Sequence, residues 1–326
     1  MKAKQLCIFT ILLLVPIITA CHTSQKKICK NNTVTRQSEV PLADPFILLH
    51  DGIYYAYGTH SADGIEVWCS KDLKHWEIPG GSTSPLLALD KKDTWGDKWF
   101  WAPEVYFINH KFYMYYSADT HLCVAVSDSP CGPFKQVEQK PMWDEESIDG
   151  SLFIDDDGKA YFFFVRFNDG NNIWVAEMND DYLTFDMNTL HHCIHVSQKW
   201  EEVWPRVNEG PFILKHNQTY YLTYSANSYE SPYYGIGCAT ATNIMGEWEK
   251  YADNPILQSP HDLVGVGHHS FFKDKKNKLR IVYHAHFNRS KIHPRLMYIG
   301  NARFQQNNGN NRLIIDSDYT VPLLKK

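Results

Sequence analysis

Residues 208–226 read NEGPFILKHNQTYYLTYSA. An acid, Glu209, stands ahead of a Gly-Pro pair. A short apolar run follows, a polar turn interrupts it, and an aromatic, β-branched stretch comes next. Two β-rich runs joined by a few polar residues read as a hairpin. Four more segments repeat the second half of this pattern: HDGIYYAYGT (50–59), NHKFYMYYSA (109–118), DDGKAYFFFVR (156–166) and KNKLRIVYHA (276–285). Each follows a shorter apolar strand with a polar residue at or near its head: ADPFILL (43–49), APEVYFI (102–108), DGSLFI (149–154) and HHSFF (268–272). Three units run on into a further strand that ends in a turn, as in GCATATNIMGEWEK (237–250).

Long helical periodicity is nearly absent, and successive heads lie 45 to 60 residues apart. A unit of three or four strands recurring five times predicts an all-β fold, a five-bladed β-propeller over residues 39–326. A large β-sandwich would also use short alternating strands, but it would not repeat a three-part unit. In a propeller the innermost strands line one axis and run the same way, so their heads converge at one end. Asp44, Glu104, Asp149, Glu209 and His268 are therefore expected around a single funnel. Carboxylates gathered in a cavity are costly unless paired or used. Asp44 before Pro and Asp149 before Gly also suit turns, whereas Glu209 is a poor turn former and is the more informative acid.

The chain has 326 residues, a net charge of −5 and 44% hydrophobic residues, enough for a large core. Nineteen Tyr, 17 Phe and 10 Trp suit β structure and surfaces that stack flat ligands. The mildly acidic balance, without basic clusters, argues against a nucleic-acid partner. No phosphate loop, dinucleotide fingerprint or serine or cysteine nucleophile motif occurs. Eight cysteines are scattered with no C-x-x-C pair, which disfavours zinc and leaves any disulfide pairing open.

At the N-terminus, MKAKQ and the apolar run LCIFTILLLVPII make residues 1–20 a signal peptide. The ending Ile18-Thr19-Ala20-Cys21 resembles a bacterial lipobox, so lipid on Cys21 and a cell-envelope location are expected. Residues 21–38 read as a flexible tether.

Six motifs in order, ADP (43–45), SKDLKHW (70–76), WAPEV (101–105), SIDGSLF (147–153), EGPFI (209–213) and GVGHHSFF (265–272), resemble glycoside hydrolase family 43. The resemblance spans about residues 39–318 and implies inverting hydrolysis of glycosides. In that chemistry a base carboxylate activates water while a protonated carboxylic acid, roughly 6.5–9.5 Å away, protonates the leaving oxygen. It implies Asp44 as general base, Glu209 as general acid and Asp149 as the residue that tunes and orients the acid. His268, after Gly-x-Gly, matches a histidine that in many members contacts a Ca2+ or Na+ ion through water, though the chemistry itself requires no cofactor. Trp101 would wall the sugar site, and Arg295 would contact sugar hydroxyls. The family's Ile-Asp-Pro is Ile-Asp-Gly here, which predicts a more mobile backbone beside Asp149. The expected partner is a carbohydrate, most of all an α-L-arabinofuranoside, with β-D-xyloside or endo-arabinanase activity as alternatives. A glycan-binding propeller without catalysis is the rival of another class. The aromatic insertion SANSYESPYYG (225–235) would roof the funnel and favour removal of terminal sugars.

Overall fold

A computed structural model describes residues 38–82, 84–203, 206–307 and 310–325. The expected signal peptide, the expected lipid site at Cys21 and the expected tether lie outside the described residues, apart from Ser38.

Five sheets form, antiparallel but for one short parallel pairing. The first takes β1 (Ala43–His50), β2 (Ile53–Thr59), β3 (Gly64–Ser70) and β4 (His75–Glu77), with β5 (Leu87–Asp90) beside β3. The second takes β6 (Trp101–Ile108), β7 (Lys111–Ala118) and β8 (His121–Ser127). The third takes β9 (Ser147–Ile154), β10 (Ala160–Phe167), β11 (Asn171–Met178) and β12 (Phe185–Ile194). The fourth takes β13 (Asn208–His216), β14 (Thr219–Ala226), β15 (Gly235–Ala241) and β16 (Glu249–Lys250). The fifth takes β17 (Gly267–Lys273), β18 (Leu279–Ala285), β19 (Leu296–Asn307) and β20 (Asn310–Thr320). Each repeated segment is thus the inner hairpin of one sheet. The turns obey local chemistry: Asp51-Gly52 and Asn109-His110 both take positive φ at both positions, as a tight two-residue hairpin requires.

The first strands β1, β6, β9, β13 and β17 touch in sequence, and β17 returns to β1, so the expected five-bladed propeller is the fold. Residues that alternate on an open sheet are here apolar on both faces, because each blade is covered by two neighbours. Every seam carries an apolar cluster, such as Ile47, Tyr54 and Trp76 against Phe272, Val282 and Met297 where the first blade meets the fifth. Each such fully buried side chain contributes about 1.5–3 kcal/mol. The ring is closed there by backbone: Val40 N–H donates to Pro322 O at 3.1 Å, and Met297 N–H to Val40 O at 3.1 Å. A last strand, β21 (Leu323–Leu324), pairs parallel to β4. The described cysteines, Cys69, Cys123, Cys131, Cys193 and Cys238, are unpaired, so no disulfide staples these blades.

Candidate active site

Each inner strand breaks its register once near its head: between Ala43 and Phe46, Trp101 and Glu104, Glu209 and Phe212, Gly267 and Ser270, and in β9 opposite Phe163 and Val165. At each break one residue adopts the left-handed region: Asp44 (φ 48°), Ala102 (46°), Asp149 (59°), Gly210 (55°) and His268 (43°). For a non-glycine residue this conformation costs about 1–2 kcal/mol. Its recurrence in all five blades therefore marks one equivalent position, a bulge that turns toward the axis either its own side chain (Asp44, Asp149, His268) or that of the residue before it (Trp101, Glu209).

The six residues singled out from the sequence, Asp44, Trp101, Asp149, Glu209, His268 and Arg295, line one cavity of about 160 Å3 together with Ile148 and Tyr229. Acids up to 165 positions apart in the chain thus share one chamber. The expected meeting of Glu104 with them is corrected. Ala102 holds the bulge position in the second blade, and Glu104, two residues on, is buried between blades with its carboxyl accepting from Tyr106 Oη. Burial pushes Glu104 up to about 8. His269 is likewise turned away, its Nε2 2.7 Å from Thr223 Oγ1.

The three cavity carboxyls sit in opposed environments. Burial alone would raise Asp44, but the Arg295 guanidinium overrides it and, with His268 and His284, holds the carboxyl well below the usual range. Arg295 Nη1 lies 2.8 Å from Oδ1 and Nη2 3.3 Å from Oδ2, while His268 Nδ1 and His284 Nδ1 stand 3.4 and 3.2 Å from Oδ1. The nitrogens expected to meet sugar hydroxyls are thus already directed at Asp44. His268 is kept neutral by burial, despite the pull of Asp44.

Burial pushes Glu209 up, and the charge of Asp44 adds to it. Hydrogen bonds from Tyr234 Oη (2.8 Å to Oε1) and Asn171 Nδ2 (3.1 Å to Oε2) pull back, leaving it at about 7. Burial and the charges of Glu209 and Asp44 raise Asp149 well above an ordinary carboxyl. Its Oδ2 accepts Gly210 N–H at 3.0 Å, and its own N–H donates to Ser117 Oγ at 3.1 Å. These two bonds anchor the Ile-Asp-Gly segment to its neighbouring blades. A Cβ at Gly150 would lie 2.4 Å from Phe162 Cζ, so glycine stands there to let an aromatic ring pack beneath the acid.

Sequence reasoning missed four neighbours. Tyr234 and Asn171 hold Glu209, His284 abuts Asp44, and Tyr229 lies under the Arg295 guanidinium at 4.5 Å. Tyr229 and Tyr234 belong to the aromatic insertion expected to act as a roof, so that segment carried a signal. Asn171 and His284 close ordinary hairpins and carried none. The insertion is held down by Gly265 N–H to Pro232 O (3.2 Å) and by His286 Nε2 against Tyr229 O (2.7 Å). Trp101 stacks on Trp99 with ring centroids 5.5 Å apart.

The model of glycosyl hydrolases family 43 matches residues 34–306. The chain belongs to glycoside hydrolase family 43. A Bacteroides thetaiotaomicron structure described as an endo-1,4-β-xylanase is 43% identical with a TM-score of 0.83, and the match covers 88% of this chain and 98% of that one. A β-D-galactofuranosidase of Aspergillus niger is 26% identical over 312 residues, covering 86% of this chain and 85% of the relative. An extracellular exo-α-(1→5)-L-arabinofuranosidase of Streptomyces chartreusis is 29% identical, covering 81% and 84%. This family 43 member is therefore an enzyme that hydrolyses O-glycosyl bonds, by the family's inverting mechanism with an acid and a base carboxylate.

Proposed function

We propose that this family 43 enzyme releases single terminal α-L-arabinofuranosyl residues from oligosaccharides or polysaccharides, with Asp44 as base, Glu209 as acid and Asp149 as the group that tunes Glu209. The observation that carries the reading is the electrostatic division of the chamber. Asp44 is held ionised by Arg295, while Glu209 and Asp149 are pushed toward protonation. Titratable groups driven apart in this way are the signature of paired acid and base duties. Asp44 takes a proton from water as that water attacks the anomeric carbon. Glu209 gives its proton to the departing oxygen, and the anomeric configuration inverts. The ionised Asp44 and the shared burial with Asp149 keep a proton on Glu209 near neutrality. The stacked Trp99–Trp101 pair offers a wall for the sugar face.

The cavity of about 160 Å3 is small for a ligand site, which favours release of one terminal sugar over cleavage inside a chain. The relatives named for furanosides support arabinofuranose first. The neighbour named a xylanase makes β-D-xylosides the second reading. No cofactor is needed for these steps. A Ca2+ or Na+ ion at His268 would be held through water, since among the described residues no three His, Cys, Asp or Glu side chains gather into a ligand set. The reading includes export, in keeping with the extracellular Streptomyces relative, and attachment through lipid on Cys21.

The test is release of 4-nitrophenol from α-L-arabinofuranoside, β-D-xyloside and β-D-galactofuranoside, with arabino-oligosaccharides in parallel. Glu209→Gln should lower turnover of the oligosaccharide about 10²–10⁴-fold, and less for the aryl glycoside, whose leaving group needs less protonation. Equal rates in parent and variant on oligosaccharide would remove Glu209 from its role, and a retained anomer in the first-formed sugar would remove Asp44.

A further inference from the structure

The five equivalent bulges share a second feature. In four blades the N–H of the left-handed residue crosses to a side chain of the preceding blade. Ala102 N–H donates to Thr59 Oγ1 (3.0 Å), Asp149 N–H to Ser117 Oγ (3.1 Å) and His268 N–H to Ser225 Oγ (2.8 Å). Asp44 N–H meets His284 Nδ1 (3.1 Å). Thr59, Ser117, Ser225 and His284 occupy one register position, each paired with the residue just before a bulge: Ala43, Trp101, Glu209 and Gly267. In the third blade that position, paired with Ile148, is Val165, fully buried and without an acceptor. By the same equivalence its counterpart in the fourth blade is the N–H of Gly210, beside Glu209, and that N–H donates instead to Asp149 Oδ2 at 3.0 Å.

We propose that Val165 is a positioning residue: by withholding the hydroxyl acceptor that three of the other blades supply, it assigns the Gly210 N–H to Asp149 and so fixes that carboxylate against the strand that carries Glu209. A buried N–H seeks a partner, and with an apolar neighbour this one takes the carboxylate. The bond couples the orientation of Asp149 to the backbone next to Glu209. This inference rests on the roles given above to Asp149 and Glu209. The ionisable groups facing Asp149 are Glu209 from β13, Asp44 from β1 and Glu104 from β6, none of which Val165 touches through charge.

Val165→Thr, which places a hydroxyl where Thr59, Ser117 and Ser225 have theirs, tests the idea. Val165→Ser serves as the second hydroxyl variant, and Val165→Ala is the packing control. The hydroxyl variants are expected to lower kcat about tenfold with little change in KM, and to displace the basic limb of the pH profile by about one unit. Val165→Ala should lose thermal stability with its limbs unmoved. Carbon-13 carboxyl titration of Asp149 should move in the threonine and serine variants and stay in place in the alanine variant. If the hydroxyl variants keep the parent's titration, or if all three shift alike, Val165 does not act through Gly210 and the proposal falls. An Asp149 titration that moves while Asp149→Asn keeps full activity would uphold the clamp and overturn the catalytic reading instead.

Discussion

Tyr234 offers the sharpest measurement. Its hydroxyl donates to Glu209 Oε1 at 2.8 Å from a fully buried ring. An ionised carboxylate accepts such a bond more strongly than a neutral carboxyl, so the bond favours the charged form and lowers the pKa of Glu209. A hydrogen bond to a charged group contributes about 1.5–3 kcal/mol. At 1.36 kcal/mol per unit, removing it raises the carboxyl by about one to two units. Asn171 Nδ2 remains 3.1 Å from the other oxygen, which sets the lower figure as the better expectation. Tyr234→Phe keeps the ring, which stacks on His284 at 5.7 Å, and removes only the donor. Glu209 must carry a proton to act as an acid, so the basic limb of kcat/KM should move to higher pH by about one unit. The limb belongs to the coupled Asp149–Glu209 pair rather than to one residue. The assay is a kcat/KM profile on an aryl glycoside between pH 4 and 10, with thermal melts confirming that parent and variant stay folded throughout. A limb that stays put, or moves toward acid, refutes the assignment of that limb to Glu209.

Two further outcomes follow from the same electrostatics. Arg295→Gln strips Asp44 of its principal cation, so the acid limb, where the base must ionise, should rise by about one to three units in the same profile. Glu104, raised to about 8 by burial, is neutral in the fold while its unfolded counterpart ionises above its ordinary value of 4.5, so it costs stability increasingly as pH climbs between those values. Glu104→Gln cannot ionise in either state. Its melting temperature relative to the parent should therefore improve between pH 5 and pH 8, and a constant difference would contradict the burial argument.

The blades were legible because a hairpin writes its turn and its alternation locally, and five copies reinforce one another. The cavity was legible in outline because rotational repetition converts equal places in a repeat into neighbours in space. That logic failed for Glu104, where Trp-Ala-Pro-Glu puts the acid two residues past the bulge and the pleat sends it between blades. It also failed for Asn171 and His284, whose hairpin positions look ordinary and whose partners lie 38 and 240 residues away. The role of Arg295 was the other surprise. Which acid a guanidinium meets depends on a loop path before β19 that no periodicity encodes.

The second blade holds the same backbone bend as the others, yet its occupant, Ala102, carries no functional group. The local conformation is already in place, its N–H is already engaged by Thr59, and asparagine or aspartate tolerates that bend better than alanine does. Position 102 is thus the bulge at which asparagine or aspartate could be introduced while the backbone bend and the existing acids are left in place.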